Sequence, residues 1–213
     1  MNDILNALFM LILTLNLFAL GNDRILSIIR IVAAQGVLLG IIPLLMHSEP
    51  TIPELISSAA AITLKAIIIP IMMIKALRDV KIKREVEPLI GLMPSTILGA
   101  LATSITFLAF ARWNTTMDGH ASLIIPTAIS TVIAGFILLT TRFKALTQVL
   151  GYLVLENGIY IFSLLLIEAI PLVVEMGMLL DLFVSIFVVS IITNHINQAF
   201  SSLDTRELAT LKE

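Results

Sequence analysis

Residues 146–167 read LTQVLGYLVLENGIYIFSLLLI, an apolar run interrupted near its middle by one acid, Glu156. As a helix rising about 1.5 Å per residue, the run is long enough to cross a hydrocarbon core of about 30 Å. It starts shortly after two cations, Arg142 and Lys144. A charged side chain at the bilayer centre costs roughly 2.5–3.5 kcal/mol on insertion scales, so an acid retained there points to a site. Residues four and seven apart share a helix face, which here carries Gln148, Tyr152, Glu156, Tyr160 and Ser163 and holds both tyrosines of the chain. Hydroxyls and an amide around a buried carboxylate suit a proton relay. The same polar stripe also suits a sealed helix–helix contact.

Similar runs occur outward from this one, at 4–20, 26–46, 53–77, 89–111, 123–141 and 172–194. With 146–167 they make about seven spans of about 20 residues, and the expected fold is an all-α integral membrane bundle. Composition agrees: 58% of the 213 residues are apolar and 13% are charged, against roughly 45–50% and 25% in soluble domains. The spans leave only short connections and tails, with no room for a soluble domain. The first run follows no cationic segment and exceeds a signal-peptide core, so it reads as a retained span.

Cations orient the bundle. Eleven of the thirteen Lys and Arg residues fall on one side if the N-terminus is outside and the C-terminus inside. Arg112 falls on the other side and Lys65 lies within a span. The loop 80–88 is charge-dense and reads as a solvated turn or as a docking surface for a cytoplasmic partner. Thirteen cations against fifteen anions leave no basic stripe, which excludes nucleic acid as a partner. The chain has no cysteine, which excludes iron–sulfur clusters and thiolate zinc sites. His47, His120 and His195 fall in three separate segments, so no local spacing pairs them as metal ligands.

Depth sorts the remaining ionisable residues. Lys65 lies about 18 Å from either end of its span, beyond the reach of snorkelling. Glu156 and Asp181 each lie about 14–15 Å into theirs, so antiparallel packing brings two carboxylates and an ammonium to one layer. Arg30 and Glu175 sit within about two turns of a span end and read as interfacial, as does Arg142 beside the start of its span. Ser58 shares a face with Lys65, Ser185 follows Asp181 by one turn, and Pro70 is expected to free the Ala66 carbonyl and kink the helix. Burial favours the neutral form of each group and mutual attraction the charged form, a balance suited to moving protons. No nucleophile is paired with a base, and no phosphate loop is present. The expectation is a chain without a catalytic site, cofactor or metal of its own.

Arg142, Gly151 and Glu156-Asn157-Gly158, with Lys65 and Pro70 upstream and a tail through Leu203-Asp204 to Lys212, resemble hydrogenase-4 component E. That family is a membrane subunit of energy-converting, complex-I-related hydrogenases. From about residue 121 onward the chain is also similar to the K-type subunit of respiratory complex I. The resemblance implies four N-terminal helices over 1–120, followed by a three-helix K-like unit over 121–213 with a cytoplasmic tail. It implies that Glu156 and Asp181 stand where the K-type subunit has two proton-transferring glutamates, the second here being a shorter acid. It also implies an inner-membrane location between antiporter-like and hydrogenase-like subunits, which would hold any metal or cluster. Other readings stay open: an assembly subunit whose charges fix helix register, a subunit of a multi-subunit sodium/proton antiporter, or a self-contained transporter of ions or solutes.

Overall fold

The computed structural model describes residues 2–46, 52–79, 89–111 and 123–165, all of them in or beside helices. Helix α1 spans Asn2–Gly21, α2 Ile25–Met46, α3 Ile52–Ile62, α4 Ile69–Asp79, α5 Leu92–Ala111, α6 Ile124–Thr141 and α7 Ala145–Ser163. A π-helical segment, Thr63–Ile68, joins α3 to α4 without a break, so the two form one rod. Five of the described segments are long and apolar enough to cross a membrane: those in α1, α2, the α3–α4 rod, α5 and α6. The molecule is an all-α, multi-pass membrane protein. Six of the expected runs correspond to the six rods, with ends shifted by a few residues. The seventh run at 172–194 lies outside the described residues, as do Asp181, Glu175, Ser185, the three histidines and the loop 80–88.

Local chemistry explains where the rods begin. The run at 89–111 turns helical only at Leu92 because Gly91 takes φ 76°, a left-handed conformation that suits glycine. The Ser95 hydroxyl then donates to the Gly91 carbonyl at 2.8 Å. Pro94 falls in the first turn, where a missing N–H costs nothing. Between α6 and α7 the chain reverses through extended backbone at Arg142 and Lys144. That short turn lays the two helices antiparallel, and theirs is the most extensive helix contact in the structure.

Hydrophobic burial does not drive helix association in lipid, since the tails are as apolar as leucine; close packing and polar contacts do. Small residues accordingly line two contacts. A side chain at Gly158 would lie 2.6 Å from the Val132 nitrogen and 2.9 Å from the Ala128 carbonyl oxygen, so α6 and α7 touch backbone to backbone. Gly135 meets Leu155, and Gly151 meets Leu138 and Leu139, in the same way. In the second contact Gly36 and Gly40 of α2 admit the α3–α4 rod. A Cβ on Gly36 would lie 2.8 Å from that of Lys65. Away from these contacts large apolar side chains face outward, such as Met93, Ile105 and Leu108 on α5. In a bilayer these faces meet a matching solvent.

The π segment occupies the place where a proline kink was expected. Pro70 has no N–H to give, and in an α-helix its ring crowds the carbonyl four residues back. The rod is π-helical just before it, and Ile69 N–H donates to Leu64 O, five residues back. Such insertions are rare and concentrate at functional sites. Here the widened turn contains Lys65.

Arg142 fixes α1 to the α6–α7 turn. It is completely buried, and its Nη2 donates at 2.7 Å to the carbonyl of Leu20 in the last turn of α1. Sequence groups it with the inside loop cations and the interfacial residues; the structure adds that it is enclosed by protein. Burial lowers its pKa from the ordinary value, and the negative end of the α1 dipole compensates part of that cost.

The two kinds of glycine separate in stability. Gly158→Ala must move backbone atoms of α6, whereas Gly99→Ala meets mainly the flexible end of Leu20. We expect Gly158→Ala to lower stability by about 1–3 kcal/mol and Gly99→Ala to lower it less, as read from reversible unfolding in mixed micelles. Equal losses at both sites would contradict backbone contact between α6 and α7.

Candidate functional site

Two charges meet inside the bundle. Lys65 Nζ of the π segment lies 3.0 Å from Glu156 Oε1 of α7, with side-chain exposures of 12% and 3%. Glu156 is buried and Lys65 only partly exposed, so the contact is a charge-assisted hydrogen bond with little access to solvent. Asn157 Oδ1 also accepts from Lys65 Nζ, at 3.4 Å, and the ammonium sits 5.1 Å from the centre of the Tyr160 ring. An aromatic face attracts a cation at that range. Carboxylate, amide oxygen and ring all come from α7 between residues 156 and 160.

The contact around Lys65 continues as a ladder. Asn157 Nδ2 donates to Gln35 Oε1 on α2 at 3.2 Å, and Gln35 Nε2 donates to Asn16 Oδ1 on α1 at 2.8 Å. Asn16 Nδ2 donates to Thr131 Oγ1 on α6 at 2.8 Å, and the Thr131 hydroxyl donates to the Thr127 carbonyl at 2.7 Å. Asn16, Gln35, Thr131 and Asn157 are all buried. Five structural segments therefore contribute to one continuous polar path within an apolar bundle: α1, α2, the π segment, α6 and α7.

The remaining site candidates divide. Tyr152 and Tyr160 lie on α7 on either side of Glu156, Tyr160 buried and Tyr152 partly so. Gln148 and Ser163, at the two ends of the stripe, serve the backbone: Gln148 Nε2 donates to Arg142 O at 3.0 Å, and Ser163 Oγ donates to Tyr160 O at 2.7 Å. Arg30 is exposed on α2 and lies off the ladder. Ser58 is buried near Gly40, whose added Cβ would lie 3.2 Å from the Ser58 carbonyl oxygen. No group of three His, Cys, Asp or Glu able to hold a metal ion occurs among the described residues.

Sequence reasoning found the two charges and passed over the amides. Asn16 and Gln35 each stand within an apolar run, and a lone amide in a span is a recognised sign of interhelical bonding. That sign is weaker than a charge, because an amide costs less to bury. Asn157 entered only as part of a motif beside Glu156.

Over 192 residues the chain is 30% identical to the uncharacterized Mycobacterium tuberculosis protein Rv0085, covering 88% of this chain and 86% of that one. Over 158 residues it is 25% identical to hydrogenase-4 component E of Escherichia coli K12, covering 74% of this chain and 73% of that one. The Shigella flexneri hydrogenase-4 component E gives the same identity and coverage. No family model matches, and no solved structure matches. The chain belongs to the family of Rv0085 and is distantly homologous to hydrogenase-4 component E.

Proposed function

We propose that the protein is a membrane-arm subunit of an energy-converting hydrogenase or related complex-I-like assembly, in which Lys65 and Glu156 form part of a proton-translocation or coupling path. The observation that carries this reading is the 3.0 Å pair itself. A carboxylate against an ammonium, deep in an apolar bundle and beside a tyrosine, is chemistry that can take up and release a proton. Distant homology to hydrogenase-4 component E supports a place in a hetero-oligomeric membrane complex; on this reading the membrane is the inner one and the partners are antiporter-like and hydrogenase-like subunits. On this reading the chain makes seven spans with the N-terminus outside, and residues 121–213 form a unit that brings Asp181 to the path. The chain itself would carry no catalytic site or cofactor.

Glu156→Gln keeps the shape of the side chain and an oxygen to accept from Lys65, but cannot ionise. Lys65→Met removes the cation while filling similar volume, and Glu156 can then become neutral by protonation rather than remain a bare buried charge. Each variant is expected to reduce proton uptake into inverted membrane vesicles by at least about tenfold, one such factor being 1.4 kcal/mol. The complex should run intact on a blue-native gel in both cases. Full translocation in both variants would remove the claim.

A second reading is favoured by the ladder, which ties five segments together and so also suits a purely structural subunit. There the same substitutions lose the assembled complex. Partners are tested by affinity purification of the tagged full chain in mild detergent followed by mass spectrometry. A hydrogenase-type large subunit with antiporter-like membrane chains is the expected company. A lone chain or homo-oligomer would instead favour a self-contained transporter.

A further inference from the structure

The ladder has a direction. Its last acceptor is the Thr127 main-chain carbonyl, which can accept a hydrogen bond and never donate one. The single Thr131 proton is committed to that carbonyl, so Thr131 Oγ1 can only accept from Asn16. Asn16 must therefore present its NH2 to Thr131 and its oxygen to Gln35. Gln35 is bound in turn to present its oxygen to Asn157, and Asn157 its oxygen to Lys65. A carbonyl on α6 thus sets, through three amides on three other helices, which end of Asn157 faces the ammonium. Hydrogen bonds aligned in one sense polarise one another, and the alignment favours positive charge at the open end.

We propose that Asn16, Gln35, Thr131 and Asn157 are positioning residues that hold Lys65 as a permanent cation, leaving Glu156 as the member of the pair that changes protonation. The Glu156 carboxylate, the Asn157 oxygen and the Tyr160 ring face all stabilise the ammonium. A proton can cancel only the first. When one proton binds the Glu156 carboxylate, the acid becomes neutral and the pair passes from net charge zero to plus one. On its release the pair returns to zero, with Lys65 an ammonium throughout. The ladder is not a proton wire, because every amide already donates toward Thr127 and would have to pass through an imidic acid to relay a proton. Its role is to stop Lys65 from surrendering its own proton when its partner becomes neutral.

The assignment of Glu156 as the mobile group rests on the proton-transfer reading above. The assignment of Lys65 as a fixed cation does not, so the test measures Lys65 alone. The full chain, labelled at lysine Nζ with nitrogen-15 and held in lipid nanodiscs at neutral pH, gives signals from six lysines. Lys65 is identified by the signal lost in Lys65→Arg, and an ammonium is told from an amine by its nitrogen shift and its three attached protons. The expected result is an ammonium in the unaltered chain and in Glu156→Gln, converting to an amine when Gln35→Leu is added to Glu156→Gln. Thr131→Val added to Glu156→Gln is expected to do the same from four links away, with far less disturbance near Lys65 should the Gln35 variant fail to fold. An amine in Glu156→Gln alone would show that the carboxylate by itself holds the charge and would overturn the proposal. So would an ammonium that survives in a folded chain with the ladder cut.

Discussion

A single ammonium, placed where neither membrane face is within reach, sets the terms for this structure. Lys65 cannot shed its solvation cost by snorkelling, so solvation has to be supplied by protein. Glu156, Asn157 and Tyr160 supply it from one helix. Asn157 in turn needs a partner for its own NH2, and so does each amide beyond it, until the requirement ends at a main-chain carbonyl. Satisfying one buried charge thereby fixes the relative positions of α1, α2, α6, α7 and the π segment. Buried ion pairs are weak sources of stability, because desolvation offsets attraction. What surrounds the pair is a connected set of polar groups drawn from five segments.

Close helix approach is the second condition. Gly36 lets Lys65 sit directly on α2, and the glycines of α6 and α7 let the helix bearing Glu156 lie backbone to backbone against the helix bearing Thr131. The glycines lie at the α6–α7 and α2–rod contacts, whereas the amide bonds cross α1–α2, α1–α6 and α2–α7, so close packing and polar bonding hold different pairs of helices. The π segment belongs to the same account, since it widens the rod at the residue that must meet α2 and α7 together.

Reading the sequence was most successful where the signal is collective or costly. The rods followed from length and hydropathy, because crossing a bilayer leaves little choice. Lys65 and Glu156 stood out because charges are rare in apolar runs, and their depths placed them in one layer. Their pairing, in contrast, depends on helix rotation, which those runs do not encode. The π segment was invisible for a related reason: Pro70 announces a disturbance, but whether a helix kinks or widens depends on what packs against it. Arg142 resembled any loop cation until the end of α1 was found beside it. Gln148 and Ser163 fell on the expected face, yet each bonds to a main-chain carbonyl near one end of α7, those of Arg142 and Tyr160.

If Lys65 and Glu156 act as one unit, their effects must not add. The decisive measurement is the proton translocation of Lys65→Met, Glu156→Gln and the double variant, each in the assembled complex, compared as a cycle. The account predicts that the double variant is no worse than the more impaired single one, because either substitution already abolishes the pair. Losses that multiply in the double variant would contradict it, and would mean that the two charges serve separate steps.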